Sequence, residues 1–121
     1  MVWLINDLAE TAYAIPFLGP EDFENIQTGI PLGEARISVV SAGSGLGQAF
    51  LVPAKNGKYT IMDSEGGHCD FAPRNELESE FLFFLQKTYS RSSLEHVLSS
   101  PGLLNICMLF ITKHAEPEAI A

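Results

Sequence analysis

The residues with the clearest chemical potential form a short polar corner of the sequence, Glu65-Gly66-Gly67-His68. A carboxylate, which accepts hydrogen bonds, and an imidazole, which donates or accepts them, stand on either side of two glycines. Glycine has no side chain to crowd a ligand and adopts backbone angles that other residues avoid. The corner therefore suits recognition of a hydroxyl-rich small molecule, with a tight turn bearing two solvated side chains as the alternative interpretation.

A second candidate is the glycine-rich segment 43–47, which has glycines at positions 43, 45 and 47. It does not match a dinucleotide fingerprint, because position 48 is Gln48 and a strand, not a helix, is predicted to follow. The absence of a Gly-Lys-Ser/Thr motif excludes a Walker loop. Two interpretations stay open: an ordinary glycine hairpin, or a loop whose backbone amides surround phosphate oxygens.

Asp7 lies where an apolar run, predicted to be a buried strand, gives way to a predicted helix. Ligands of α/β proteins usually bind at such strand ends, and a carboxylate there is able to take a proton from a substrate hydroxyl. Because Asp and Asn are preferred helix caps, capping alone is the alternative for Asp7. Glu95 has the same ambiguity, since Ser92-Ser93-Leu94-Glu95 is a capping-box pattern.

Other polar residues are expected to have structural roles. His96 and His114 are interpreted as surface residues of helices, and Asp70 as a turn residue or a ligand. The aromatic cluster around Phe81 and Phe84 is predicted to be core.

Strands are predicted at 1–5, 36–40, 48–53 and 59–62, the last after a turn at Asn56-Gly57. The first helix is predicted at 8–15 after the Asn6-Asp7 capping signal, with Pro16, Gly19 and Pro20 ending it and a further short turn of helix at 20–24.

Further helices are predicted after the capping-box-like Asn75-Glu76-Leu77-Glu78, from Ser92 or Ser93 to Leu98, and from Ser100-Pro101 to about His114. In the Asn75 helix, apolar residues recur at helical spacing and are expected to face a core: Leu77, Phe81, Phe84, Leu85 and Tyr89. The tail from Glu116 is expected to fray.

Composition narrows the class of protein. With 121 residues and 46% apolar residues, the chain has about the length of one domain and can build a core. Fifteen acidic and seven basic residues give a net charge of -8, which argues against nucleic acid as a partner. A phosphorylated ligand remains compatible, because backbone amides and a metal ion bind phosphate locally.

The cysteines and the apolar runs indicate a soluble protein of the reducing cytoplasm. Cys69 and Cys107 are the only two cysteines, and their spacing fits neither a disulfide framework nor a zinc site. The first residues lack the basic region of a signal peptide. The longest apolar run, 103–111, is too short to span a membrane.

Several motifs occur in one order along the chain: Ile5-Asn6-Asp7, the Gly-Ser-Gly-Leu-Gly segment, Glu65-Gly66-Gly67-His68 and Ser99-Ser100-Pro101-Gly102-Leu103. With Ala14-Ile15-Pro16 and the stretch 67–73, they make the sequence resemble the middle of a bacterial glucokinase from about Leu4 to Ile106. The resemblance is to the glucokinase branch, because the cysteine-rich zinc motif of the related repressor–kinase branch is absent.

The resemblance implies an α/β fold of the actin-like, ribonuclease-H-like sugar kinases. The chain is expected to form a single partial domain over 1–121, mostly from the large lobe: a short β-sheet with flanking helices, incomplete at both ends. The implied activity is ATP-dependent phosphorylation of D-glucose to glucose 6-phosphate, the first step of glycolysis, with ATP and Mg²⁺ as cofactors.

The resemblance also implies roles for individual residues. Asp7 would be the general base that takes the proton of the glucose 6-hydroxyl. The sugar hydroxyls would bind to Asn6, Glu65, His68 and Glu95. The second phosphate loop, beside the ATP phosphates, would contain Gly43, Ser44 and Gly45.

The sequence also departs from this family. It lacks the first phosphate loop, Asp-x-Gly-Gly-Thr, most of the small lobe before Asn6, and the helices expected after Ile106. We therefore expect a fragment or truncated product with little or no kinase activity alone. The alternatives are a non-catalytic glucose-binding or interaction module and an unstable product. A homodimer through the last helix and a complementary kinase fragment are the protein partners considered.

Overall fold

A computed structural model describes residues 6–30, 32–55 and 57–115. The strand predicted at 1–5, the tail from Glu116 and Asn56 of the predicted turn lie outside these residues. The chain is divided into two compact units. The first takes in the sequence up to Val40 together with Gln48–Ser64, and the second takes in Ser41–Gly47 and the sequence from Glu65 onward.

The first unit begins with helix α1, Asp7–Ala14. Its N-cap is Asn6, whose Oδ1 accepts hydrogen bonds from the backbone N–H groups of Leu8 and Ala9 at 3.0 and 3.2 Å. The helix continues as a 3₁₀ turn, Ile15–Phe17, and a second 3₁₀ turn follows at Pro20–Asp22. The predicted helix and the short turn after it are confirmed.

Three strands follow: β1, Ile37–Ala42, β2, Leu46–Pro53, and β3, Tyr59–Ser64. They form one sheet in the order β1-β2-β3, in which β2 and β3 pair antiparallel from Gln48↔Ser64 to Pro53↔Tyr59. Gly57, between β2 and β3, has a φ of 71°, which favours glycine over residues with a Cβ. The strands run beyond their predicted ends, so that only Gly43–Gly45 separates β1 from β2.

The core of the first unit lies between one face of α1 and the sheet. Leu8 and Ala12 of α1 cluster with Ala49 and Leu51 of β2, and partly buried side chains surround them. Complete burial of a leucine such as Leu51 contributes about 1.5–3 kcal/mol relative to exposure. The sheet of the first unit is therefore fixed by helix packing as well as by strand pairing.

The second unit contains two longer helices, α2, Glu76–Gln86, and α3, Ser100–Ala115, and 3₁₀ turns at Gly66–His68 and Leu94–His96. Phe81, Leu85 and Leu109 form its buried core. Phe81 packs against Phe71 and Phe84, with ring centroids 6.1 and 6.3 Å away. The predicted aromatic core is confirmed. None of the helices among the described residues is long and apolar enough to cross a membrane.

Leu77 departs from the predicted core stripe. It lies in the first turn of α2 and remains 47% exposed. Its side chain borders an open apolar groove of about 540 Å³ that Phe110 and Leu98 also line. The helical spacing identified the correct face of α2, but nothing covers the beginning of that face among the described residues.

At three predicted helix starts, the structure differs from the prediction in the capping residues or their partners. At α2, Asn75 accepts the N–H of Glu78 at 2.9 Å as expected, but the Glu78 carboxylate accepts from the N–H of Arg74 and not from that of Asn75. At the Leu94–His96 turn, Ser93 is the cap and its N–H donates to Nδ1 of His96 at 3.0 Å. The capping box expected between Ser92 and Glu95 is therefore wrong, and this helix is shorter than predicted.

At α3, Ser99 and not Ser100 provides the cap. The Oγ of Ser99 accepts the N–H of Gly102 at 3.1 Å, whereas Ser100 is already the first helical residue. Gly102 lies so close to Val97 that a Cβ would overlap the backbone of Val97. The helix therefore starts one residue earlier than the Ser100-Pro101 pattern predicts.

Candidate functional site

The Glu65-Gly66-Gly67-His68 corner folds as a 3₁₀ turn. The N–H of His68 donates to the carbonyl of Glu65 at 3.0 Å, and the N–H of Cys69 donates to the carbonyl of Gly66 at 3.1 Å. Gly67 is buried, and a Cβ there would overlap the carbonyl oxygen of Leu46. This glycine is needed for close backbone packing, which differs from the bare, flexible corner expected from the sequence.

The turn places His68 between two carboxylates. Its Nε2 lies 3.7 Å from Oε2 of Glu65, and its Nδ1 lies 3.9 Å from Oε1 of Glu95. The exposed fractions of the side chains are 57% for His68, 80% for Glu65 and 30% for Glu95. These separations exceed hydrogen-bond distance, so the facing polar atoms are not hydrogen-bonded to one another and the cluster is suited to contact hydroxyl groups.

Glu95 occupies the Leu94–His96 turn and reaches strand β2 with its carboxylate. The N–H of Leu46, the first residue of β2, donates to Oε2 of Glu95 at 2.9 Å. Hydrogen bonds to an ionised acceptor are stronger than those between neutral groups. Glu95 therefore contacts the backbone at the end of the glycine-rich segment with one oxygen and faces His68 with the other.

The glycine-rich segment is a tight turn, Gly43–Gly45, held from one side. The N–H of Gly43 donates to the carbonyl of Gly45 at 2.9 Å. The carbonyl of Gly43 accepts from the N–H of Ser100 at 2.8 Å and from its Oγ at 3.1 Å. Gly43 and Ser44 are exposed, and a Cβ on Gly43 would meet no atom within 4 Å. The exposed side of this turn is compatible with both interpretations of the segment, an ordinary glycine hairpin and a loop that binds phosphate.

Asn6 and Asp7 belong to the first unit, at the start of α1. Asn6 is the cap, and Asp7 is the first helical residue, with its Oδ1 accepting the N–H of Leu8 at 2.8 Å. Both side chains are exposed at a helix N-terminus, a favourable place for negative charge. The Glu65–His68–Glu95 cluster and the Gly43–Gly45 turn both belong to the second unit.

His96 has specific contacts that the sequence did not indicate. Its ring stacks on Tyr89, with centroids 4.0 Å apart, and its Nδ1 receives the N–H of Ser93. His96 is therefore half-buried in a 3₁₀ turn and less exposed than the predicted surface histidine, whereas His114 is exposed near the end of α3 as expected. Asp70 pairs with Arg91 and bridges to Ser93, which fits its interpretation as a turn residue.

Sequence reasoning also missed the contribution of Ser99 and Ser100 to the site. Ser99 is 5% exposed, and its Oγ donates to the carbonyl of Glu95 at 2.6 Å. Ser100 holds the glycine turn through Gly43. The Ser-Ser-Pro-Gly pattern signalled only the helix start, and nothing in it indicated contacts with a turn far away in the sequence.

Arg74 and Glu78 form the pair with the clearest electrostatic effect. The Arg74 guanidinium donates to both Glu78 carboxylate oxygens, one at 2.9 Å, and these hydrogen bonds lower the pKa of Glu78. The same hydrogen bonds raise the pKa of Arg74. The pair borders the apolar groove of the second unit and lies outside the candidate site.

The described residues contain no group of three His, Cys, Asp or Glu side chains arranged to hold a metal ion. Cys69 and Cys107 are exposed free thiols. The arrangement supports hydrogen bonding to a polar ligand and does not resemble a zinc centre.

The fold is that of a sugar kinase of the glucokinase type. A solved glucokinase from an Antarctic psychrotroph superposes with a TM-score of 0.80 and 33% identity, covering 91% of this chain and 34% of its own. A glucokinase from Balamuthia mandrillaris, solved in complex with glucose, gives a TM-score of 0.78 over 94% of this chain and 36% of its own. At 22% identity the second likeness concerns the fold alone.

The sequence comparisons agree with the fold. The family model described as Glucokinase matches residues 1–120, and the chain belongs to the glucokinase family. A glucokinase from Nostoc punctiforme is 43% identical over 107 residues, 87% of this chain and 31% of the relative. One from Synechocystis sp. is 42% identical over 118 residues, 95% of this chain and 32% of the relative. The chain thus spans about a third of the length of these relatives. The resemblance and the fold class predicted from the sequence are confirmed.

Proposed function

We propose that this chain carries sugar-binding residues and one phosphate loop of an ATP-dependent glucokinase, which converts D-glucose to glucose 6-phosphate. The main support is the convergence of Glu65, His68 and Glu95 within one unit that also contains the Gly43–Gly45 turn. Membership of the glucokinase family adds to it, as does the glucose bound to the Balamuthia mandrillaris enzyme.

The sugar would bind through complementary hydrogen bonds. Glu65 and Glu95 present carboxylate oxygens that accept from sugar hydroxyls, and His68 presents ring nitrogens that donate or accept. The gaps of 3.7 and 3.9 Å between these side chains leave their polar atoms available to hydroxyls. Asn6 would contribute its Nδ2 amide, because its Oδ1 already receives two backbone N–H groups.

Asp7 would act as the general base. One carboxylate oxygen, Oδ1, receives the N–H of Leu8, which orients the group at the exposed start of α1. The other oxygen, Oδ2, would take the proton of the glucose 6-hydroxyl while the hydroxyl oxygen attacks the γ-phosphorus of ATP and ADP leaves. Proton transfer by a positioned side chain contributes about 10²–10⁴-fold to rate.

The phosphate groups would lie on the open side of the Gly43–Gly45 turn, where Gly43 and Ser44 are exposed. ATP, with Mg²⁺, would supply the phosphoryl group. Mg²⁺ is usually held by one or two carboxylates together with substrate phosphates. The described residues form no site of three His, Cys, Asp or Glu side chains for a metal ion.

The 121-residue chain by itself is proposed to bind glucose without appreciable turnover, because its sequence contains no Asp-x-Gly-Gly-Thr phosphate loop. A non-catalytic glucose-binding or interaction module is the alternative and predicts the same binding. A complementary kinase fragment or a second copy of the chain would be the protein partner. The cytoplasm is the proposed location.

Calorimetric titration with glucose tests binding, and a coupled assay of glucose 6-phosphate formation tests turnover. We expect saturable binding that His68→Ala weakens at least tenfold and that Glu80→Gln leaves unchanged, since Glu80 pairs with Lys113 on the α2 and α3 helices. A folded chain that does not respond to glucose would contradict the proposal. Turnover abolished by Asp7→Asn would show that the isolated chain is an active kinase.

A further inference from the structure

We propose that Glu95 is a positioning residue that links the sugar-binding cluster to the Gly43–Gly45 turn, so that glucose and a nucleotide bind cooperatively. This inference rests on the proposed function. It assigns to Glu95 a second task, beyond contact with the sugar, on the backbone that would hold the phosphates.

The two oxygens of the Glu95 carboxylate face different parts of the site. Oε2 receives the N–H of Leu46, directly after the turn, at 2.9 Å. Oε1 faces Nδ1 of His68 at 3.9 Å. Because the carboxylate is a rigid plane, a sugar hydroxyl bound at Oε1 restricts the rotation that would carry Oε2 away from Leu46. Sugar binding is therefore expected to stabilise the backbone at the end of the turn.

The beginning of the turn is held by the same short segment of chain. Ser100 donates its N–H and its Oγ to the carbonyl of Gly43. Buried Ser99 donates its Oγ to the carbonyl of Glu95 at 2.6 Å, which fixes Glu95 relative to Ser100. The contacts at Gly43 and Leu46 are thus both made by the short segment from Glu95 to Ser100.

Gly45 connects the turn to the same carboxylate by steric contact. A Cβ on Gly45 would lie 2.7 Å from Oε2 of Glu95, closer than nonbonded atoms approach. Because the carboxylate is the end of a flexible side chain, an alanine at this position would displace Glu95 without requiring the backbone to move. A Cβ on Gly43 would meet no atom within 4 Å. The two glycines therefore form a matched pair of probes.

Coupling of this kind is reciprocal: if glucose tightens nucleotide binding, the nucleotide tightens glucose binding by the same factor. ADP is the appropriate probe, because it occupies the phosphate loop without phosphoryl transfer. We expect saturating ADP to lower the Kd for glucose by about fivefold, at the low end of typical coupling. In the Gly45→Ala variant, ADP is expected to change the Kd for glucose much less.

The experiment is calorimetry on the 121-residue chain, with glucose titrated in the absence and presence of ADP. Without ADP, Gly45→Ala is expected to raise the Kd for glucose at least fivefold more than Gly43→Ala does. Equal effects of the two substitutions, or the same glucose Kd with and without ADP, would overturn the inference and leave the proposed sugar site intact. Failure of the wild-type chain to bind glucose would overturn both.

A second measurement needs no variant. Amide hydrogen exchange followed by NMR reports how readily the Leu46 N–H, which donates to Glu95, opens to solvent. We expect glucose to slow exchange at Leu46 about fivefold or more, while exchange at Leu85 in the core of the second unit stays unchanged. Glucose binding with no change at Leu46 would also overturn the inference.

Discussion

Gly67 and Leu46 pack backbone to backbone, so closely that a Cβ on Gly67 would overlap the Leu46 carbonyl oxygen. The contact places the Glu65–His68 turn against the first residue of β2, whose N–H donates to Glu95. One close approach therefore brings together the 3₁₀ turn that carries His68, the start of a strand and an acidic side chain within the second unit.

Gly67→Ala is expected to destabilise the chain by about 1–3 kcal/mol, the usual cost of forcing extra volume into a packed interior. Urea denaturation followed by circular dichroism measures the change. The matched control is Gly29→Ala, because a Cβ there would meet no atom within 4 Å. A Gly67→Ala variant as stable as the control would show that this contact relaxes without cost.

Glu95→Ala is expected to weaken glucose binding more than Glu65→Ala. The Glu95 side chain is 30% exposed and fixed by Leu46, whereas that of Glu65 is 80% exposed. Hydrogen bonds to charged groups contribute about 1.5–3 kcal/mol, so we expect a loss of at least tenfold at Glu95 and a smaller one at Glu65. Calorimetry gives both dissociation constants, and the reverse order would contradict the assignment.

Ser99→Ala is expected to reduce the free energy of unfolding by about 1 kcal/mol, because it removes the cap of α3 and a hydrogen bond to the Glu95 carbonyl. Thermal unfolding measures this loss. Ser90→Ala, at an exposed position, is the control. Threonine at position 99 keeps a hydroxyl and should recover part of the loss. If Ser99→Ala leaves the free energy of unfolding unchanged, the hydroxyl does not contribute to the stability of α3.

Leu85→Ala is expected to cost about 2–5 kcal/mol, since Leu85 is fully buried in the core of the second unit and its truncation leaves a cavity. Leu103→Ala, at a position 64% exposed on α3, is the control and should change stability far less. Chemical denaturation of both variants tests the difference. Similar costs at the two positions would contradict the described packing of α2 and α3.

The Arg74–Glu78 pair predicts a pH dependence of stability. Its hydrogen bonds lower the pKa of Glu78 in the folded chain, so this contribution is fully present above the ordinary glutamate pKa and is lost as the pH falls through the lowered value. NMR titration of the Glu78 carboxyl should give a higher pKa in Arg74→Gln than in the wild type. The stability difference between the two proteins should narrow in acid. An unchanged Glu78 pKa would show that the ion pair is absent in solution.

Local patterns in the sequence predicted much of the fold. The caps at Asn6 and Asn75 act within three residues of themselves, and Phe81 and Leu85 repeat at helical spacing, so each signal lies inside the element that it predicts. Where neighbouring residues had similar capping ability, the sequence left the cap open between Ser92 and Ser93 and indicated Ser100 where Ser99 is the cap. Only the family resemblance grouped Glu65, His68 and Glu95 as one predicted site, and the structure places both carboxylates within 4 Å of His68.

Patterns in the amino-acid sequence were sufficient to predict the three strands of the sheet, the helix faces, the acidic character and the glucokinase family. The folded chain was needed to show that Glu95 accepts from Leu46, that Ser100 donates to Gly43, and that Gly67 must lack a side chain. Leu46 and Glu95 are 49 positions apart, and Gly43 and Ser100 are 57 apart. Contacts at such separations follow from how the chain packs and leave no periodic pattern or local cap in the sequence.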